Sequence, residues 1–90
     1  MRLGRTYLVT GRVQGVGYRY FVHAAATREG VHGWVKNTAE GVEIAAEGDA
    51  EALDRFERAV RQGPPRARID RVEVTDVGAA GRSSGFCVED

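Results

Sequence analysis

The order of extended and helical segments predicts an α+β domain of βαββαβ order, an antiparallel sheet with both helices on one face. Apolar residues switch between alternating and three-to-four spacing, and a glycine or proline break accompanies each switch. Length sets the scale: 90 residues with 42% hydrophobic content suffice for one domain over residues 1–90 and not for two cores.

From Thr6 to Val13 the residues alternate, with Tyr7, Val9 and Val13 on one face and Thr6, Thr10 and Arg12 on the other, while Leu8 blurs the pattern. This is the first predicted strand. The glycine-broken segment Gln14-Gly15-Val16-Gly17 follows, and then Tyr18, Phe21, Val22, Ala25 and Ala26 recur at helical spacing. The first helix therefore starts near Arg19 and stops at Gly30, which suits a C-terminal cap. Gly33 to Asn37 and Val42 to Glu47 are short extended runs around Thr38-Ala39-Glu40-Gly41, a segment with the length and glycine of a hairpin turn.

Asp49 is placed to cap a second helix, whose apolar stripe is Ala52, Leu53, Phe56, Ala59 and Val60. Glu51 with Arg55, Asp54 with Arg58 and Glu57 with Arg61 stand acid before base at four-residue spacing, the orientation that supports an exposed helical face. Gly63-Pro64-Pro65 ends the helix, because neither proline can donate an amide. A strand returns from Ile69 to Val77, centred on Val72 and Val74, and a glycine- and serine-rich loop runs from Gly78 to Gly85. Phe86-Cys87-Val88 is expected to add a short fifth strand at an edge. This arrangement is that of ferredoxin-like folds, which host many unrelated activities, so function has to be argued from a site.

Thirteen basic and thirteen acidic residues cancel, so the overall balance points to neither nucleic acid nor a membrane surface as the main partner. A small molecule is the expected partner, and a monomer the expected state. Arginine supplies nearly all the positive charge, Lys36 being the only lysine. Cys87 stands alone, which leaves no internal disulfide or cysteine-rich metal site, fits a reducing cytosol, and suggests a small apolar side chain packed inside. Met1 to Thr10 lacks the apolar run of a signal peptide and no other segment approaches a membrane span, so a soluble cytoplasmic protein is expected.

Gly11, Gly15 and Gly17 sit between a strand and a helix N-terminus, where exposed amides and the helix dipole favour an anion. The spacing matches neither common nucleotide loop: no Gly-Lys-Ser/Thr follows, and the third glycine of the dinucleotide fingerprint is missing. Arg19 lies in the first helical turn, where the dipole opposes a cation; facing an anion and snorkelling to the surface are the two readings that remain open. Asn37 ends a strand that could run beside this loop, and its amide can donate and accept, although asparagine there is commonly a turn former. His23 and His32 have no catalytic neighbour in sequence, and no spacing of His, Cys, Asp or Glu resembles a metal-ligand set.

Gly11-Arg12-Val13-Gln14-Gly15-Val16-Gly17-Tyr18-Arg19-Tyr20-Phe21-Val22, together with Gly33-Trp34-Val35-Lys36-Asn37-Thr38-Ala39-Glu40-Gly41, strongly resembles the two signature segments of the acylphosphatase family. The resemblance continues more loosely from Thr6 to Val88. It implies an acyl-phosphate phosphohydrolase of ferredoxin-like fold with no cofactor. In it the matching Arg19 binds the substrate phosphate, the matching Asn37 orients the attacking water, and Gln14, Gly15, Val16, Gly17 and Tyr18 form the phosphate loop. Thr38 matches a position that often carries a hydroxyl and is read as a supporting residue. The chain departs from the pattern at Tyr18, where phenylalanine is common and where a buried hydroxyl needs a partner, and at its acidic end, Glu89-Asp90, where a basic or aromatic residue is usual.

Two other classes compete. RNA-recognition domains share this element order, yet the strand from Val42 to Glu47 has no aromatic residue and carries two glutamates. A non-catalytic phospho-ligand module would bind phosphate without turnover.

Overall fold

The computed structural model describes residues 1–81 and 85–89. Its elements are β1 (Arg2–Arg12), α1 (Tyr18–Glu29), β2 (His32–Asn37), β3 (Val42–Asp49), α2 (Ala50–Gln62), β4 (Arg68–Val77) and β5 (Phe86–Glu89). The five strands form one sheet in the order β4-β1-β3-β2-β5. β1 runs antiparallel to both β3 and β4, and β2 antiparallel to β3. These four strands realise the antiparallel βαββαβ arrangement; the short fifth strand joins the edge beside β2 in parallel, so the whole sheet is mixed.

The helices cover one face, and the core lies between them and the inward strand residues Tyr7, Val9, Val35, Val42 and Ile44. Tyr18, Val22, Ala25 and Ala26 are the buried residues of α1, and all five residues of the predicted stripe of α2 are buried. Phe56 of α2 meets Tyr7 and Phe86 edge-on, with ring centroids 5.9 Å away in each case, a geometry that matches ring edges to ring faces.

β1 starts at Arg2, four residues before the alternation becomes visible, because the fourth residue of the strand, Arg5, is an inward-facing arginine. Arg5 reaches Asp54 at 3.1 Å and Glu57 at 3.3 Å on α2, so a charge occupies a place where the pattern asks for an apolar residue. β4 carries Ile69 and Val72 against the core although they are three apart. The register with β1 slips between Thr10 and Gly11, leaving Asp70 as an extra residue that restores the facing.

The charge pairs of α2 are partly redirected. Arg61 pairs with Glu57 at 3.2 Å as expected, whereas Arg55 turns to Glu29 of α1 at 2.6 Å and Asp54 serves Arg5. Asp49 is the N-cap of α2 but makes no side-chain capping bond; the Ala50 amide donates to the Met1 carbonyl instead, at 3.2 Å. Cys87 is exposed, which corrects the expectation of a packed thiol. In β5 the inward positions fall to Phe86 and Val88, and the alternation sends Cys87 to the open face of the sheet. Of the loop from Gly78 to Gly85, residues 82–84 lie outside the described residues, as does Asp90 of the acidic end. Among the described residues no helix is long and apolar enough to cross a membrane.

Candidate active site

The segment between β1 and α1 is shaped by glycines in left-handed conformation, Gly15 at φ 72° and Gly17 at φ 79°. A Cβ at either would meet nothing within 4 Å, so glycine is needed there for its backbone angles and not for space. Gly17 is also the N-cap of α1, and the cap supplies no side-chain hydrogen bond. The first-turn amides of a helix have no intrahelical acceptor. The first turn of α1 carries no acidic side chain.

A cavity of about 160 Å³ lies at this helix end, lined by Val13, Gly15, Gly17, Tyr18, Arg19, Tyr20 and Asn37. The structure therefore brings together Arg19, Asn37, two loop glycines and the helix N-terminus. Among the described residues of that lining, Arg19 is the one that carries a charge. One of its guanidinium nitrogens donates to the Glu89 carbonyl of β5 at 2.6 Å, which orients the guanidinium plane. Asn37 enters from the end of β2, on the helix-covered side of the sheet. Its Oδ1 is buried and has no hydrogen-bond partner among the described residues.

Three of the residues named from the sequence stand beside the cavity and not in its lining. Gln14 Nε2 donates to the Thr38 carbonyl at 2.7 Å and to the Gly41 carbonyl at 2.8 Å, tying the loop to the β2–β3 turn. Thr38 Oγ1 accepts from the Gly41 amide at 3.1 Å and from the Glu40 amide at 3.3 Å, closing that turn. Val16 is half-buried against the core. Tyr18 contributes to the lining while its ring is buried, and its hydroxyl donates to the Val60 carbonyl at 2.8 Å. That bond meets the need that a buried tyrosine creates, and burial pushes the phenol well above its ordinary titration range.

Val13 and Tyr20 also line the cavity, and sequence reasoning passed over both. Val13 reads as an ordinary core residue. Tyr20 had a usable signal, since it follows Arg19 in the first turn of the helix. His23 packs at 6.3 Å from the Phe86 ring, and His32 Nδ1 accepts the Gly85 amide at 2.8 Å, so both histidines serve the fold around β5. Among the described residues no group of three or more His, Cys, Asp or Glu is placed to hold a metal ion.

Residues 5–88 match the family model described as Acylphosphatase. The chain is 45% identical over 86 residues to an acylphosphatase of Koribacter versatilis, covering 94% of this chain and 78% of that one. It is 46% identical over 88 residues to an acylphosphatase of Mannheimia succiniciproducens, covering 97% and 98% of the two chains. Its fold superposes on the crystal structure of acylphosphatase from Bacillus subtilis with a TM-score of 0.90, at 41% identity and over 100% of both chains.

Proposed function

Because the chain belongs to the acylphosphatase family, we propose that it hydrolyses carboxyl-phosphate mixed anhydrides by in-line attack of a water on a phosphate held by Arg19 and the loop amides. The observation that carries this reading is Asn37 Oδ1, a buried acceptor without a partner in the same cavity as the Arg19 guanidinium. A buried polar atom left unpaired is costly, and a water donating to it would remove that cost. Such a water would sit where it can attack the bound phosphate.

The chemistry asks for little beyond this. The water oxygen forms the new bond to phosphorus, and the bond from phosphorus to the acyl oxygen breaks. Its electron pair leaves with the carboxylate, while the water protons pass to phosphate oxygen and solvent. A carboxylate is a stable leaving group, so no general acid needs to protonate it. Transition-state charge on the phosphoryl oxygens is met by a guanidinium, the helix dipole and main-chain amides, and positioning supplies the rest. A cavity of about 160 Å³, against a water's share of about 30 Å³, has room for a phosphoryl group and one water.

This reading makes metal unnecessary, since the functions a cation would serve fall to Arg19 and the amides. It places a small acyl phosphate as the substrate of a monomer acting in the cytoplasm without a cofactor. Steady-state release of inorganic phosphate from acetyl and benzoyl phosphate tests it. Turnover well above the buffer rate is expected, and phosphate binding with no turnover would replace the enzyme by a binding module.

A further inference from the structure

A phosphoryl group seated in the cradle carries its acyl group outward, and the lining decides what that group meets. Val13 and the Tyr18 ring are buried, two lining residues are glycines, and Arg19 and Asn37 are polar. Tyr20 is left. Its side chain is 69% exposed, and of the four large apolar side chains exposed among the described residues it alone lines this cavity. A helix tilts every Cα–Cβ bond toward its N-terminus, so a residue in the first turn of α1 leans back over the mouth of the cradle.

We infer that Tyr20 contacts the acyl group of the substrate and biases the site toward aromatic acyl phosphates. The inference rests on the acylphosphatase reading and deepens it, by assigning the part of the substrate that the phosphate cradle does not grip. An exposed phenol ring offers a flat apolar face and keeps its hydroxyl in water, so a benzoyl ring can stack on it without burying a polar atom. A methyl group covers far less of that face and gains correspondingly less.

Kinetics of benzoyl and acetyl phosphate hydrolysis by the parent, Tyr20→Ala and Tyr20→Phe test this. One aromatic pair is worth roughly a 2- to 12-fold change in binding. The ratio of kcat/KM for benzoyl over acetyl phosphate is expected to fall by about that factor in Tyr20→Ala and to be kept in Tyr20→Phe. The loss should appear in KM for benzoyl phosphate, because ring contact is equal in ground and transition states. Inorganic phosphate, which has no acyl group, should inhibit the parent and Tyr20→Ala alike. An unchanged ratio, or weaker phosphate inhibition of the variant, overturns the inference while leaving the enzyme reading in place. A parent that hydrolyses neither compound sinks both.

Discussion

Gln14 holds the main-chain oxygen of Thr38 at 2.7 Å, so the side chain of one signature segment fixes the backbone that directly follows Asn37 in the other. The same amide nitrogen also holds Gly41, and the turn between them is closed by the Thr38 hydroxyl. Replacing Gln14 by alanine removes both bonds, each worth about 0.5–1.5 kcal/mol net. A lower Tm is expected together with a lower kcat, because the strand end that carries Asn37 loses its tie to the cradle. Gln14→Glu should be worse still, since it points a carboxylate at two carbonyl oxygens. Thermal unfolding and initial rates measure this, and a Gln14→Ala protein with the parent's Tm and kcat would show that the tie is dispensable.

Arg19 and Asn37 should fail in different ways. On the proposed reading Arg19→Ala removes the cation that meets the phosphate in both ground and transition states, so weaker inhibition by phosphate and a loss of about 100- to 1,000-fold or more in kcat/KM are expected. Asn37→Ala leaves the cradle intact and should keep phosphate inhibition while kcat falls by a factor on the order of 100 or more. Full turnover by Asn37→Ala would remove the residue from the mechanism.

A chelator tests whether charge is supplied by protein groups alone. Dialysis of the protein against EDTA should leave the rate on benzoyl phosphate unchanged. A loss restored by an added divalent cation would mean that a metal shares the work assigned to Arg19 and the loop amides.

The buried hydroxyl of Tyr7 gives a stability prediction. The side chain is 1% exposed and its oxygen makes no hydrogen bond of good geometry among the described residues; the Arg5 guanidinium gives it only a weak contact, and burial raises the phenol to about 12. Tyr7→Phe keeps the ring against Phe56 and removes an unsatisfied polar atom, so it should stabilise the fold by about 1 kcal/mol. For a domain of this size that is a Tm higher by about 4–8 °C. An unchanged or lower Tm would show that the hydroxyl is satisfied in solution.

Helix α2 is legible in the sequence because Ala52, Leu53, Phe56, Ala59 and Val60 keep one helical stripe and Gly63-Pro64 stops it. The loop before α1 is legible for a related reason: glycines at a strand-to-helix junction are needed by the backbone, and Gly15 and Gly17 both take positive φ values. What the sequence hides depends on partners far along the chain. Arg5 looks like a surface residue until α2 brings two carboxylates to it, and the start of β1 is lost with it. Asn37 and Arg19 are 18 positions apart in the numbering, and only the strand order places them on one cavity. The role of Gln14 is hidden in the same way, because its acceptors are main-chain oxygens that carry no residue signature.

The bond from Arg19 to the carbonyl of Glu89 spans a separation of 70 residues. Contacts that distant form late, since a long stretch of chain must be ordered before they repay it. The guanidinium acquires this brace only when β5, the last strand in chain order, has docked beside β2. Turnover should therefore not return during refolding before β5 docks, and a chain stopped short of that strand would lose both the brace on Arg19 and the core contact of Phe86 with Phe56.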